Sequence, residues 1–301
     1  MALVGSAARQ DHPADEWSDL DLVLVAVDAR AYLGSTAWLA ELGEVWFSYQ
    51  EFHFEGQEAC ERRVLFAGGQ DVDFMVYSIE SARQAFAGTF VPEIAARGLR
   101  VLLDKDGILH PMPVTTSLGP VQPPSCEEFS EVVNDFWFHT VWTAKKLRRG
   151  ELWTAKRCCD DYLKRLLLRM MEWQAQGSPL LSEDMENLGI RGSVGAGSEP
   201  ALTPHPQISG FYSVLGGNGV DTWFNGRFLE QWASPAALEK LRIAFAHYEE
   251  QDVWRALRAS MELYDQLARD TARRWGYAYP VENVEKVMEW VAVCQLRQMG
   301  R

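Results

Sequence analysis

Two aspartates one residue apart, Asp19 and Asp21, open an apolar run, Leu20 to Val27, that reads as a β-strand. In a strand alternate side chains share a face, so both carboxylates point the same way, within reach of one divalent cation. Like charges held that close are unfavourable without a cation between them. Gly5 and Ser6 lie upstream. Glycine permits close backbone approach, and a serine hydroxyl beside free N–H groups can hold a phosphate. Asp71 and Asp73 introduce a second apolar run, Val72 to Tyr77. Asp73 abuts that run and is the expected third carboxylate, whereas Asp71 reads as a solvated turn acid. Three acids on adjacent strands beside a Gly-Ser turn suit metal-assisted nucleotidyl transfer. In that chemistry Mg²⁺ offsets the charge of a triphosphate, a carboxylate takes the acceptor's proton, and pyrophosphate leaves in line.

The elements that must position these residues are short. Ala2 to Val4, Glu44 to Gln50, Arg63 to Ala67 and Arg100 to Leu103 read as further strands, with Asp106-Gly107 marking a turn after the last. Helical patches are expected around residues 30 to 42 and 80 to 97. A Pro-rich stretch, Pro111 to Pro124, reads as the linker, after which the period becomes that of helices. Ser125 with Glu128 predicts a capping box opening a helix that runs to Arg149 and stops at Gly150. Glu151 opens the next helix, so the pair reads as a helical hairpin with a basic corner. Residues 177 to 222 read as a loop-rich insertion, and Ser234-Pro235 as the start of another helix. The stripe Val253, Leu257, Met261, Tyr264, Ala268, Thr271 and Trp275 is expected to face a core. The fold class is therefore α+β: an N-terminal domain with a mixed sheet over residues 1–115, then an all-α domain over residues 125–301.

Charge separates the two halves as well. Residues 1 to 125 hold 18 acids and 8 bases, whereas the rest hold 24 acids and 21 bases. Lys145, Lys146, Arg148, Arg149, Lys156, Arg157, Lys164, Arg165 and Arg169 crowd one strip against only Glu151, Asp160 and Asp161. A basic strip beside an acidic domain predicts an anionic ligand. The net charge of −13 over 301 residues argues against nucleic acid and favours cationic partners. Five cysteines without a C-x-x-C spacing suggest neither a disulfide framework nor a zinc site, and no apolar run approaches a spanning helix. A cytoplasmic protein is expected. The six histidines lack ligand spacing. Of the twelve tryptophans, Trp137, Trp142, Trp153 and Trp173 are expected mostly in the helical core, with one or two free to wall a base or a sugar ring.

Gly5-Ser6, Asp19-x-Asp21 and Asp73 resemble the minimal nucleotidyltransferase fold. The second half is similar to the aminoglycoside 6-adenylyltransferase (streptomycin adenylyltransferase) family. The similarity there runs through Asp135-Phe136-Trp137, Ala144-Lys145, Arg149, Glu151, Ala155-Lys156, Leu167 to Met170, Glu172-Trp173, Asp221 to Phe228 and Tyr277 to Pro280. This resemblance implies that Asp19 and Asp21 hold Mg²⁺, with Asp73 as third ligand or general base. It implies that Ser6 meets the β- or γ-phosphate of ATP and that Lys145 and Arg149 close on the phosphates. Ala7 and Ala8 separate Arg9 from the Gly-Ser pair that an arginine directly follows in the family. The chain also begins four residues before Gly5, without the helix that precedes this strand in the family.

The implied activity is transfer of AMP from ATP to a hydroxyl of a streptomycin-like aminoglycoside, an antibiotic that this inactivates. Asp160, Glu172 and Trp173 are candidate contacts to the cationic acceptor. The alternatives are the same architecture acting on another small-molecule or protein hydroxyl, and a decayed nucleotide-binding protein. Retention of Asp19, Asp21 and Asp73 counts against decay.

Overall fold

A computed structural model of the chain describes residues 1–9, 14–52, 60–87, 95, 98–109, 124–176 and 226–299. It divides into two compact units, Met1–Leu118 and Gly119–Arg301. The expected insertion at 177 to 222 and most of the Pro-rich linker lie outside the described residues.

The first unit is built on one mixed sheet of six strands: β1 (Ala2–Val4), β2 (Leu20–Ala26), β3 (Val45–Phe52), β4 (Cys60–Phe66), β5 (Gln70–Ser78) and β6 (Arg100–Val101). Their order is β3-β4-β5-β2-β1-β6, with β2 and β5 parallel and every other pairing antiparallel. Alternation along the strands sorts two faces. Leu20, Leu22 and Leu24 of β2 pair with Val72, Phe74 and Val76 of β5 and form the apolar face, with Val64, Phe66 and Leu39. The helix α1 (Ala29–Gly34) and the 3₁₀ turn Ala37–Glu41 contribute Leu33, Trp38 and Leu39 to this layer, and α2 (Ile79–Ala87) follows β5.

Arg62, buried on β4, donates to the carbonyl oxygens of Tyr32 and Leu33 and to Ser48 Oγ. It thereby satisfies carbonyls at the end of α1 that have no helical partner. The sixth strand is shorter than its sequence suggests. Beyond Val101 the N–H groups of Leu102 and Leu103 instead bond the Met1 carbonyl, at 3.0 and 3.1 Å.

The second unit is helical: α3 (Cys126–Arg148), α4 (Leu152–Arg157), α5 (Leu163–Gln176), α6 (Leu229–Trp232), α7 (Pro235–Arg242), α8 (Glu250–Trp275) and α9 (Val281–Met299). A π-helical segment, Cys158–Tyr162, joins α4 to α5 without a break. Phe129, Phe136, Leu147, Leu163, Leu167, Leu257 and Tyr264 make the centre of its core. There the Phe136 and Tyr264 rings stack with centroids 3.6 Å apart, and Tyr264 donates to the Val132 carbonyl at 3.0 Å. The predicted stripe on α8 is buried from Val253 to Thr271. Helix α9, which lies beyond the stripe singled out on α8, adds Val284 and Val291 to the core. Among the described residues no helix is long and apolar enough to cross a membrane.

One local expectation changes. Ser125 caps α3, its Oγ accepting from the Glu128 N–H at 3.0 Å, but the reciprocal half of the box is spent elsewhere. The Glu128 carboxylate takes the Arg169 guanidinium at 2.5 Å, a charged partner that outcompetes a backbone N–H. Trp137 and Trp173 are in the core as expected, whereas Trp153 is 66% exposed. Replacing Ser125 with alanine leaves the Glu128 N–H without its cap and is expected to destabilise the helical unit by about 1 kcal/mol. Thermal melts followed by circular dichroism check this, and an unchanged transition would show the cap to be dispensable.

Candidate functional site

The parallel pairing of β2 with β5 sets Asp21 beside Asp73, two carboxylates on one face. Asp19, just before β2, joins them. One carboxylate oxygen from each of Asp19, Asp21 and Asp73 lies within 4.8 Å of the other two. Asp19 is exposed, Asp21 half-buried, and Asp73 only 4% exposed. The carboxylate-only donor set suits a hard divalent cation such as Mg²⁺. Asp73 Oδ1 is buried without a hydrogen-bond partner, the condition in which a ligand atom waits for its ion.

The Gly5–Ala7 turn follows β1 and crosses beside Asp21. Gly5 has φ +64°, and a Cβ there would lie 2.1 Å from Asp21 Oδ2. Only glycine lets the backbone pass so near that carboxylate. Ser6 is buried, and its hydroxyl donates to the Asp19 carbonyl at 3.4 Å, so it fastens the turn to the first metal-ligand candidate. The approach to Asp19 is braced as well: Asp15 Oδ1 accepts from the Trp17 N–H at 3.0 Å and from Ser18 Oγ at 2.8 Å. Arg9 is half-buried at the end of the turn.

A residue outside every sequence motif backs this turn. A Cβ on Gly98 would stand 2.7 to 2.8 Å from backbone atoms of Ala8 and Arg9. Nothing local in the sequence marks that close approach, which depends on two segments ninety residues apart. Arg63 likewise carries no sequence signal beyond its place in a strand. On β4 it pairs with Asp73, and its guanidinium reaches Asp73 Oδ2 at 3.4 Å, Glu61 at 3.2 Å and Glu51 at 2.6 Å. Burial, a hydrogen bond shared with Glu61 and the Glu61 charge push the Asp73 carboxyl up to about 8 from its usual 3.8, against the pull of Arg63.

In the helical unit Lys145 is exposed and has no acid partner among the described residues. Arg149, 72% exposed, pairs with Glu151 at 2.5 Å, and Lys146 meets the same acid at 2.7 Å. The remaining strip is largely matched too. Lys156 pairs with Asp160, Arg157 and Arg165 with Asp161, and Arg169 with Glu128. Lys164 is buried, donating to the Cys159 carbonyl at 2.9 Å and to Ser260 Oγ at 2.8 Å.

The three acceptor candidates are not gathered into one surface. Asp160 holds Lys156 and accepts from the Ala246 N–H at 3.3 Å, tying the π segment to the chain beyond α7. Glu172 and Trp173 are both 4% exposed, inside the helical core, and Trp173 carries the Arg169 guanidinium 5.4 Å above its ring. Twelve residues of continuous helix separate Asp160 from Glu172, roughly 18 Å along the axis.

The residue pattern that defines the streptomycin adenylyltransferase family matches residues 1–180 and 213–294. The aminoglycoside 6-adenylyltransferase of Campylobacter jejuni is 22% identical over 296 residues, covering 97% of this chain and 87% of that protein. The aminoglycoside 6-adenylyltransferase of Bacillus subtilis (strain 168) is 22% identical over 302 residues, covering 93% and 86%. The crystal structure of an aminoglycoside 6-adenyltransferase from Bacillus subtilis aligns with TM-score 0.42 and 19% identity over 91% of this chain and 88% of that one.

The raised Asp73 carboxyl has a stability consequence of defined sign. Between the unfolded value of 3.8 and the folded value of about 8 the folded chain holds a proton that the unfolded chain has lost. Stability of the metal-free first unit is therefore expected to fall as pH rises through that window. A divalent cation stabilises the ionised form and should flatten the slope. Melting temperatures from pH 4 to 9, with and without Mg²⁺ and for Asp73→Asn, measure this. A slope indifferent to both Mg²⁺ and the substitution would contradict the assignment.

Proposed function

The chain belongs to the streptomycin adenylyltransferase family, and from that membership we propose that it transfers AMP from ATP to a hydroxyl of a streptomycin-like aminoglycoside, releasing pyrophosphate and inactivating the antibiotic. The observation that carries this reading is the convergence of Asp19, Asp21 and Asp73 beside the Gly5 turn, in an enzyme whose family match spans both units. The C. jejuni and B. subtilis relatives named as aminoglycoside 6-adenylyltransferases support the choice of acceptor.

On this reading Asp19, Asp21 and Asp73 hold Mg²⁺, which when bound offsets the triphosphate charge and polarises the α-phosphate. Backbone N–H groups of the Gly5–Ala7 turn, with Arg9 at its end, face the phosphates, while Ser6 keeps the turn fixed to Asp19. Asp73 is the one buried carboxylate of the three and is suited to take the acceptor's proton. The hydroxyl oxygen bonds to the α-phosphorus, the bond from that phosphorus to the bridging oxygen breaks, and the electron pair departs with pyrophosphate. Lys145, whose charge no described acid neutralises, serves the phosphates as a point charge. Arg149 does so in a smaller measure because Glu151 already holds it. A polycationic acceptor suits an N-terminal half with 18 acids and 8 bases, and the cytoplasm, where Mg-ATP is available, suits the reaction.

Asp19→Asn and Asp21→Asn each remove a ligand charge. Both are expected to lower transfer by at least about 100-fold, with little change in melting temperature. Purified protein incubated with Mg-ATP and a panel of aminoglycosides, followed by pyrophosphate release and adenylylated mass, measures this. Near wild-type turnover in either variant would sink the metal assignment, and adenylylation confined to non-aminoglycoside hydroxyls would replace the acceptor. Lys145→Ala is expected to raise KM for ATP roughly tenfold while the acceptor KM stays put. An unchanged ATP KM would mean that Lys145 does not reach the nucleotide.

A further inference from the structure

The face of the sheet that carries Asp73 continues past it over β4 and β3. Register places Arg63 beside Asp73, Tyr49 beside Arg63, Glu51 beside Glu61, and Phe47 beside Leu65. All of these side chains therefore share the face of Asp21 and Asp73. A bulge between Val45 and Phe47 switches the alternation, which turns Phe47 to this side while Val45 packs on the apolar layer. Phe47 and Tyr49 are 73% and 56% exposed.

Charge on this surface is lopsided. Glu51, Glu61 and Asp73 all meet the single Arg63 guanidinium, and the exposed Asp71 adds a further acid. Asp73 itself is buried and has an oxygen without a hydrogen-bond partner on that face.

Topology says which reactant comes from which side. The Gly5–Ala7 turn follows β1, on the β1 side of Asp21, whereas β4 and β3 lie beyond Asp73 on the other. In-line displacement keeps the leaving pyrophosphate and the incoming hydroxyl on opposite sides of the α-phosphorus. With phosphates at the Gly5 turn, the acceptor approaches over β4 and β3.

We propose that Phe47, Tyr49 and Glu51 form the subsite for the acceptor, and that the ligand is an amino- or guanidino-substituted sugar or cyclitol. The aromatic faces pack against an apolar ring face and an attached cation, and Glu51 with its acidic neighbours receives the ammonium or guanidinium group. Strands stand about 4.8 Å apart, so β3 lies roughly 10 Å from Asp73, the reach of a ring neighbouring the one modified. This subsite rests on the reading of Asp19, Asp21 and Asp73 as the transfer site, and it replaces the buried Glu172 and Trp173 as the place where the acceptor is recognised.

The test is calorimetric titration of streptomycin into the full chain with Mg²⁺ and AMP-CPP, comparing wild type with Phe47→Ala, Tyr49→Ala and Glu51→Gln. Retained AMP-CPP affinity reports a folded nucleotide site in each variant. Tyr49→Ala and Glu51→Gln are each expected to weaken streptomycin binding roughly tenfold, and Glu51→Gln to reduce its salt dependence. If Glu51→Gln fails to fold because Arg63 loses a partner, the two exposed aromatic variants carry the comparison. Wild-type streptomycin affinity in the folded variants would overturn the subsite while leaving the function intact. Wild-type protein that binds AMP-CPP but no streptomycin at low salt would instead overturn the aminoglycoside reading, and a cationic subsite with it.

Discussion

Parallel pairing of β2 with β5 forces like charges together, because the register that aligns Leu20, Leu22 and Leu24 with Val72, Phe74 and Val76 also aligns Asp21 with Asp73. Were both ionised, two such groups about 4 Å apart would repel by about 4 kcal/mol at an effective dielectric of 20, and burial and acidic neighbours already hold the Asp73 carboxyl well above its usual value. On the opposite face the buried Val72, Phe74 and Val76 contribute about 1.5–3 kcal/mol each, and the half-buried Leu20, Leu22 and Leu24 less. Together they outweigh the repulsion, and slipping the strand by one residue to separate the acids would turn the whole apolar set to solvent. The fold therefore holds the carboxylates in place by its core, with Arg63 on one flank and the raised Asp73 carboxyl limiting their charge, in a geometry that a divalent cation could occupy.

The turn after β1 depends on the same constraint. Since Asp21 cannot move without its strand, the backbone at residue 5 must yield, and it does so as a glycine in the left-handed region. Gly98 lets a second segment press against the Ala8–Arg9 peptide from behind. The path of this turn is thus set by two absent side chains and one serine bonded to the Asp19 carbonyl. In the helical unit many charges are instead spent on each other, while Lys145 has none of the described acids as a partner.

Much of this is legible in the sequence. The D-x-D spacing, the period-two runs and the turn residues identify the strands and the acids they carry, and the Ser125 and Ser234 caps locate two helix starts. Partnerships across long separations are not legible. Arg63 and Asp73 meet through strand register, and Gly98 meets Ala8 through a packing contact, and neither leaves a local signature. The basic strip is an instructive middle case. Lys156 with Asp160, Arg157 with Asp161 and Asp161 with Arg165 stand four apart, so their mutual neutralisation was readable from helical spacing, whereas a count by segment made them look available to a ligand. Glu172 and Trp173 are a related case: both are buried on α5, which their composition alone does not reveal.

The central claim is that one divalent cation sits among Asp19, Asp21 and Asp73, and diffraction from crystals grown with Mn²⁺ and AMP-CPP tests it most directly. An anomalous peak about 2.1 Å from an oxygen of each of the three carboxylates, with the nucleotide phosphates beside the Gly5 turn, is the predicted result. A nucleotide bound with its phosphates elsewhere, or manganese held by other residues while these three carboxylates stay apart from it, would contradict the account.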